Sequence, residues 1–126
     1  MSYPNDGFSP ESKQRIVQEL VPGKQITLAH IIANPDPILY RKLGLAPDGD
    51  AHRGAIGVVT MSPAEYAIIA ADLATKASDA ELGFVDRFSG TLLVTGSLSA
   101  VESSLDAVVT YARESLGFGV CPVTKT

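Results

Sequence analysis

The chain has no tryptophan, one cysteine and two histidines in 126 residues, and each scarcity closes off a class of function. Cys121 has no second cysteine with which to form an internal disulfide, and His30 and His52 stand too far apart in sequence to suggest a zinc cluster. Basic runs are missing, and ten Lys and Arg against fourteen Asp and Glu leave a net charge of -4. Nucleic acid and anionic membranes are therefore not expected partners. No apolar run approaches the length of about 18 residues that a membrane span requires. Met1 to Ser12 is mostly polar, contains Pro4 and Pro10 and has no apolar signal core, so a cytoplasmic location is expected. A phosphate-binding loop is also missing: Gly44, Gly49, Gly54 and Gly57 have the wrong spacing, and no Gly-Lys-Ser or Gly-Lys-Thr occurs.

What the chain does have is alanine, glycine and a regular alternation of strand and helix signals, in a length that suits one domain with one core. Residues 1–13 read as a flexible extension that cannot bury enough surface to order itself. Gln14 to Val21 suits either a short strand or one or two amphipathic helical turns, and a strand is the expectation. Lys24 to Ala33 is a strand, with Ile26, Leu28, His30 and Ile32 on one face and Thr27, Ala29, Ile31 and Ala33 on the other. Asn34-Pro35-Asp36-Pro37 then breaks the strand, and Asp36 or Asn34 caps a short helix that stops at Gly44. Ala46 to Gly54 reads as an exposed linker.

Ala55 to Met61 is the next strand. Ser62 with Glu65 forms a capping box, and Pro63 opens a helix to Ala77 whose apolar face is Tyr66, Ile69, Leu73 and Ala77. Glu81 to Phe88, interrupted by Gly83, turns at Ser89-Gly90 into Thr91 to Thr95, an antiparallel hairpin. Ser99 and Glu102 repeat the capping box ahead of a second long helix with the stripe Val101, Leu105, Val108, Ala112 and Leu116. Gly119 to Val123 offers a short strand that Pro122 confines to a sheet edge. The pattern predicts an α/β chain of the α+β type, a two-layer sandwich with helices against one face of a sheet.

Candidate chemistry is sparse. His30 could act as an acid, base or ligand, but its strand face reads as packed or interfacial. His52 reads as a solvated loop residue, and Cys121 has no sequence signature of activation. No metal or cofactor is expected. Lys76 near a helix C-terminus reads as a solvated cap favoured by the helix dipole. Asp86 and Arg87 sit just before Phe88-Ser89-Gly90, a turn whose backbone amides could attract an anion.

Several long motifs are similar to one known family. Pro22-Gly23-Lys24-Gln25, Thr27-Leu28-Ala29-His30 and Ala33-Asn34-Pro35, then Ile68-Ile69-Ala70-Ala71-Asp72-Leu73-Ala74-Thr75-Lys76 and Gly83-Phe84-Val85-Asp86-Arg87-Phe88-Ser89-Gly90, resemble the circularly permuted shell proteins of bacterial microcompartments. The subgroup resembled accompanies ethanolamine and propanediol utilisation, and the likeness runs from about Arg15 to Thr126. It implies a ferredoxin-like permuted domain over residues 23–126, whose first strand and short helix stand at the chain's end in unpermuted relatives. It also implies a non-enzymatic homohexamer that tiles the shell alongside other shell proteins and encapsulated enzymes. On the matching positions, Asp86, Arg87, Phe88, Ser89 and Gly90 form the pore-side hairpin turn, and Lys76, Asn34 and Pro35 lie at the hexamer edge. Asn34 stands where relatives usually carry an arginine. Residues 14–22, with Gln14, Arg15, Ile16, Val17, Gln18, Glu19 and Leu20, would supply one strand of a six-stranded barrel capping the opening. The alternatives are an oligomeric module that binds a small molecule or anion at Arg87 and the Ser89-Gly90 amides, and a small enzyme using His30 or Cys121.

Overall fold

The computed structural model describes residues 23–45 and 54–126. The expected extension, the expected barrel strand Gln14 to Leu20 and most of the expected linker, including His52, lie outside these residues. Five strands and three helices follow in the order β1 (Gln25–Ile32), α1 (Pro37–Lys42), β2 (Ala55–Ser62), α2 (Tyr66–Ala77), β3 (Glu81–Asp86), β4 (Thr91–Gly96), α3 (Leu98–Ser115) and β5 (Thr124–Lys125). They form one sheet in the order β3-β4-β2-β1-β5, antiparallel throughout except for the β1–β5 pair.

Both long helices cover one face of this sheet. From beneath them Ala29, Ile31, Val59, Leu92 and Val94 meet Val101, Leu105 and Val108 of α3, all of them buried. Each large aliphatic side chain removed from water in this way contributes about 1.5–3 kcal/mol. Gly57 lies under the crossing: a β-carbon there would come within 2.6 Å of Leu105 Cδ1 and 2.8 Å of Val101 Cγ1. The opposite face carries a smaller cluster in which Tyr40 and Leu45 cover Ile56 and Leu93. The Tyr40 hydroxyl donates to the Gly54 carbonyl, tying α1 to the start of β2, and burial pushes its pKa up.

Three details depart from the expected elements. A register shift between Ile26 and Leu28 breaks the alternation in β1. Ile26 therefore joins Ala29 and Ile31 in the core, while Leu28 is 41% exposed. The packed face of α2 is Ala67, Ala70, Ala71 and Ala74, not the stripe of larger residues: Ile69 is 43% exposed and Tyr66 and Leu73 are half-buried. Alanine brings the helix axis close to its neighbours, and the bulkier side chains are left at the rim. Neither capping box forms. Ser62 is paired with Gln25 at the end of β2, so α2 starts at Tyr66 without a side-chain cap. Ser97, not Ser99, caps α3, its Oγ accepting from Ala100 N at 3.2 Å. Glu102 instead pairs with Lys125 at 2.7 Å.

At the C-terminus Gly119 makes only an isolated bridge to Gln25, and the strand proper follows Pro122 as Thr124–Lys125. It occupies the sheet edge. The short helix matches its reading: Asp36 Oδ1 accepts from Ile38 N at 3.0 Å, and Gly44 follows the C-cap at φ 72°.

Candidate functional site

The hairpin turn between β3 and β4 is built from Asp86 outward. Asp86 Oδ1 accepts from Phe88 N at 2.8 Å and from Ser89 N at 3.4 Å, and its Oδ2 accepts from Ser89 Oγ at 3.0 Å. The Ser89 hydroxyl also lies 2.9 Å from Thr91 Oγ1. The backbone closes with Gly90 N donating to Asp86 O at 2.9 Å. Hydrogen bonds from the Phe88 amide first, then from the Ser89 hydroxyl, hold the Asp86 carboxyl below its ordinary pKa. Gly90, at φ 77°, is required twice over, since a β-carbon there would also collide with the Met61 carbonyl oxygen. Met61 N in turn donates to Gly90 O at 2.9 Å, so the turn is pinned to the end of β2.

This geometry bears on the anion-binding alternative. The Phe88 and Ser89 amides point at the Asp86 carboxylate and the Gly90 amide at the Asp86 carbonyl, so these amides are already occupied within the turn. What the turn presents outward is Arg87, Phe88 and Ser89. Phe88 is 81% exposed, and the Arg87 guanidinium carbon sits 4.9 Å from its ring centroid. One acid and one base leave the turn formally neutral.

The expected edge residues lie elsewhere on the protomer. Lys76, in the last turn of α2, pairs with Asp72 at 3.0 Å and remains largely exposed. Asn34 is exposed and Pro35 buried in the turn leading to α1. The aliphatic face of α2 contributes exposed Ile68 and Ile69 to the surface. These are apolar groups that one subunit does not cover.

His30 is structural. Its Nδ1 lies 2.6 Å from Thr124 Oγ1 and its Nε2 2.9 Å from Thr126 Oγ1, clamping β5 to β1. Both ring nitrogens are engaged with hydroxyls of the C-terminal segment. Cys121 is half-buried in the C-terminal tail, packed against the core. Among the described residues, no group of three or more His, Cys, Asp or Glu could hold a metal ion.

A polar latch was not read from the sequence. Ser104, fully buried in the α3 stripe, donates to Ala74 O at 2.7 Å. It also lies 2.9 Å from Ser78 Oγ, which itself donates to Ala100 O at 2.8 Å. The available signal was a serine at helical spacing inside an otherwise aliphatic stripe. Such a residue needs a buried acceptor, and the last turn of α2 supplies it.

Comparison with known proteins accounts for this arrangement. Residues 55–124 match the BMC domain, that is β2 through β5, leaving β1 and α1 ahead of the match, the order a circular permutation produces. The chain is 51% identical over 112 residues to the bacterial microcompartment shell protein CutR of Streptococcus intermedius, covering 89% of this chain and 92% of that protein. It is 50% identical over 114 residues to the shell protein EutS of Escherichia coli, covering 90% and 98% of the two chains. A solved flat hexamer of CutR superposes with a TM-score of 0.76 at 49% identity, over 84% of this chain and 94% of that one. The fold, the order of its strands and these likenesses together place the chain in the BMC-domain family of bacterial microcompartment shell proteins.

Proposed function

We propose that the protein is a non-catalytic wall unit: six copies close into a ring, and the rings tile a microcompartment shell beside other shell proteins and around encapsulated enzymes. The observation that carries this reading is the likeness to the CutR flat hexamer over most of both chains. A cyclic ring joins two unlike surfaces of each subunit and repeats every axial group once per subunit. The hairpin Asp86 to Gly90 serves as the axial turn. Lys76, with Asn34 and Pro35, serves as the contact between neighbouring rings. Residues 14–22 serve as a strand that closes into a barrel over the opening only when all copies contribute, and residues 23–126 are the tile itself. The exposed apolar groups on α2 and the self-contained hairpin support the assembly, because both suit contacts between copies rather than a small-molecule site.

Light scattering coupled to size-exclusion chromatography on the full chain tests this directly. A particle of six times the 13.2 kDa chain mass is expected. A monomer that persists at high concentration would overturn the proposal.

A further inference from the structure

The chemistry of the hairpin tip carries a second step, which rests on the reading that this turn stands at the ring axis. The Asp86 carboxylate, the Ser89 hydroxyl and the Phe88, Ser89 and Gly90 amides all have partners within the turn or the adjoining strands. Asp86 is filled by the Phe88 and Ser89 amides and the Ser89 hydroxyl, that hydroxyl also reaches Thr91, and Gly90 O is taken by Met61 N. The guanidinium lies against the face of the Phe88 ring. The most prominent group that the turn projects is therefore an uncharged aromatic ring, 81% exposed in the protomer. Among the described residues, no other large apolar side chain is left as bare.

We propose that the Phe88 rings of the six subunits meet about the axis and close the opening as an apolar plug. Aromatic rings associate edge to face through complementary ring edges and faces, and a ring of them offers no partner to hydration water. An apolar constriction of this kind blocks hydrated ions and charged metabolites by remaining dry. The Asp86 carboxylate is held by the Phe88 and Ser89 amides, and its charge is offset within each turn by Arg87 at the next position. Arg87, stacked on the ring of its own Phe88, holds the aromatic group in position.

The test uses full-length protein with Cys121→Ser as background, in two measurements. In the first, Phe88→Cys is oxidised in the assembled state and run without reductant; axial rings in contact bring the new thiols within disulfide range and give linked pairs. In the second, 4-fluorophenylalanine replaces Phe88, and fluorine relaxation by a soluble gadolinium chelate is compared between assembled protein and protein unfolded in urea. The plug predicts linked pairs together with a severalfold drop in relaxation enhancement on assembly. Linked pairs with a fluorine as accessible as in urea would leave the hairpin at the axis and overturn the plug alone. Hexamers with neither linkage nor protection would remove the axial reading of the hairpin, and the plug with it.

Discussion

Replacing Gly90 with alanine separates two costs that the hairpin turn combines. Gly90 has φ 77°; a β-carbon there would strike the Met61 carbonyl oxygen and come within 3.1 Å of Ala64 Cα. Gly117 has nearly the same backbone angle, φ 73°, with nothing within 4 Å of the position a β-carbon would take, so it serves as the internal control. Left-handed backbone costs an L-residue about 1–2 kcal/mol, offset by about 0.4–1 kcal/mol from the narrowed unfolded ensemble. Gly117→Ala should therefore destabilise by no more than about 1.6 kcal/mol. Gly90→Ala carries the same term and must also displace the end of β2. Overpacking adds about 1–3 kcal/mol, and parting the Met61–Gly90 hydrogen bond adds about 1 kcal/mol. The expected loss is about 2–5 kcal/mol. Urea denaturation followed by circular dichroism measures it, with all three proteins at one protomer concentration because assembly shifts the apparent midpoint. If the two variants unfold within about 0.5 kcal/mol of each other, the close approach of Gly90 to β2 contributes nothing and the hairpin is not anchored as described.

Three further outcomes are expected. Asp86 has a folded pKa below the 3.8 of an ordinary aspartate, so its contribution to turn order is full above about pH 4 and is lost as the pH falls through the lowered value. The Phe88 and Ser89 amide resonances should shift together in that acid window, and Asp86→Asn should abolish the coupled shift. Ser104→Ala removes the donor to Ala74 O and should cost about 1–3 kcal/mol in the same urea assay, because a buried carbonyl is left without its partner. Ser97→Ala should cost about 1 kcal/mol as the loss of a helix cap, whereas Ser99→Ala should stay within about 0.5 kcal/mol of wild type; equal losses would show that the cap had been assigned to the wrong serine.

The parts of the fold that could be read from sequence are those fixed by local chemistry. Asp36 ahead of Pro37 and Gly44 after the last turn bound α1 by a cap and a left-handed residue. Ser89-Gly90 places the hairpin turn, and Val101, Leu105, Val108 and Ala112 mark the buried side of α3 at helical spacing. The misreadings come from tertiary competition. The shift between Ile26 and Leu28 moves a whole set of side chains between faces, because strand periodicity has no tolerance for one extra residue. In α2 the large residues looked like the buried face on hydrophobicity alone, but close approach to α3 selects the smallest side chains, and Ala74 O needs room to accept from Ser104. Both capping boxes failed because their serines or glutamates had other partners: Ser62 in the β2 ladder, Glu102 with Lys125. Of the hairpin, the residues were legible and the closed hydrogen bonding of Asp86 was not, since an Asp three residues before a Ser specifies no geometry by itself.

On the proposed axial placement of the hairpin, that closure suits the turn to repetition. A group at a six-fold axis is present in every subunit, so any defect in one turn is multiplied by the ring. Two like charges roughly 10 Å apart repel by about 1.7 kcal/mol at an effective dielectric constant near 20, and a ring of uncompensated charges would repeat that cost around the whole opening. Within each turn the Asp86 carboxylate, held by the turn's own amides, is offset by Arg87 at the next position, which lies against Phe88. An unpaired amide would be as costly in a water-poor opening, and the Phe88, Ser89 and Gly90 amides all have acceptors within the turn. The tip that remains can approach its copies through an aromatic surface, for which proximity is favourable, so the same hydrogen bonds that order one hairpin permit several to converge.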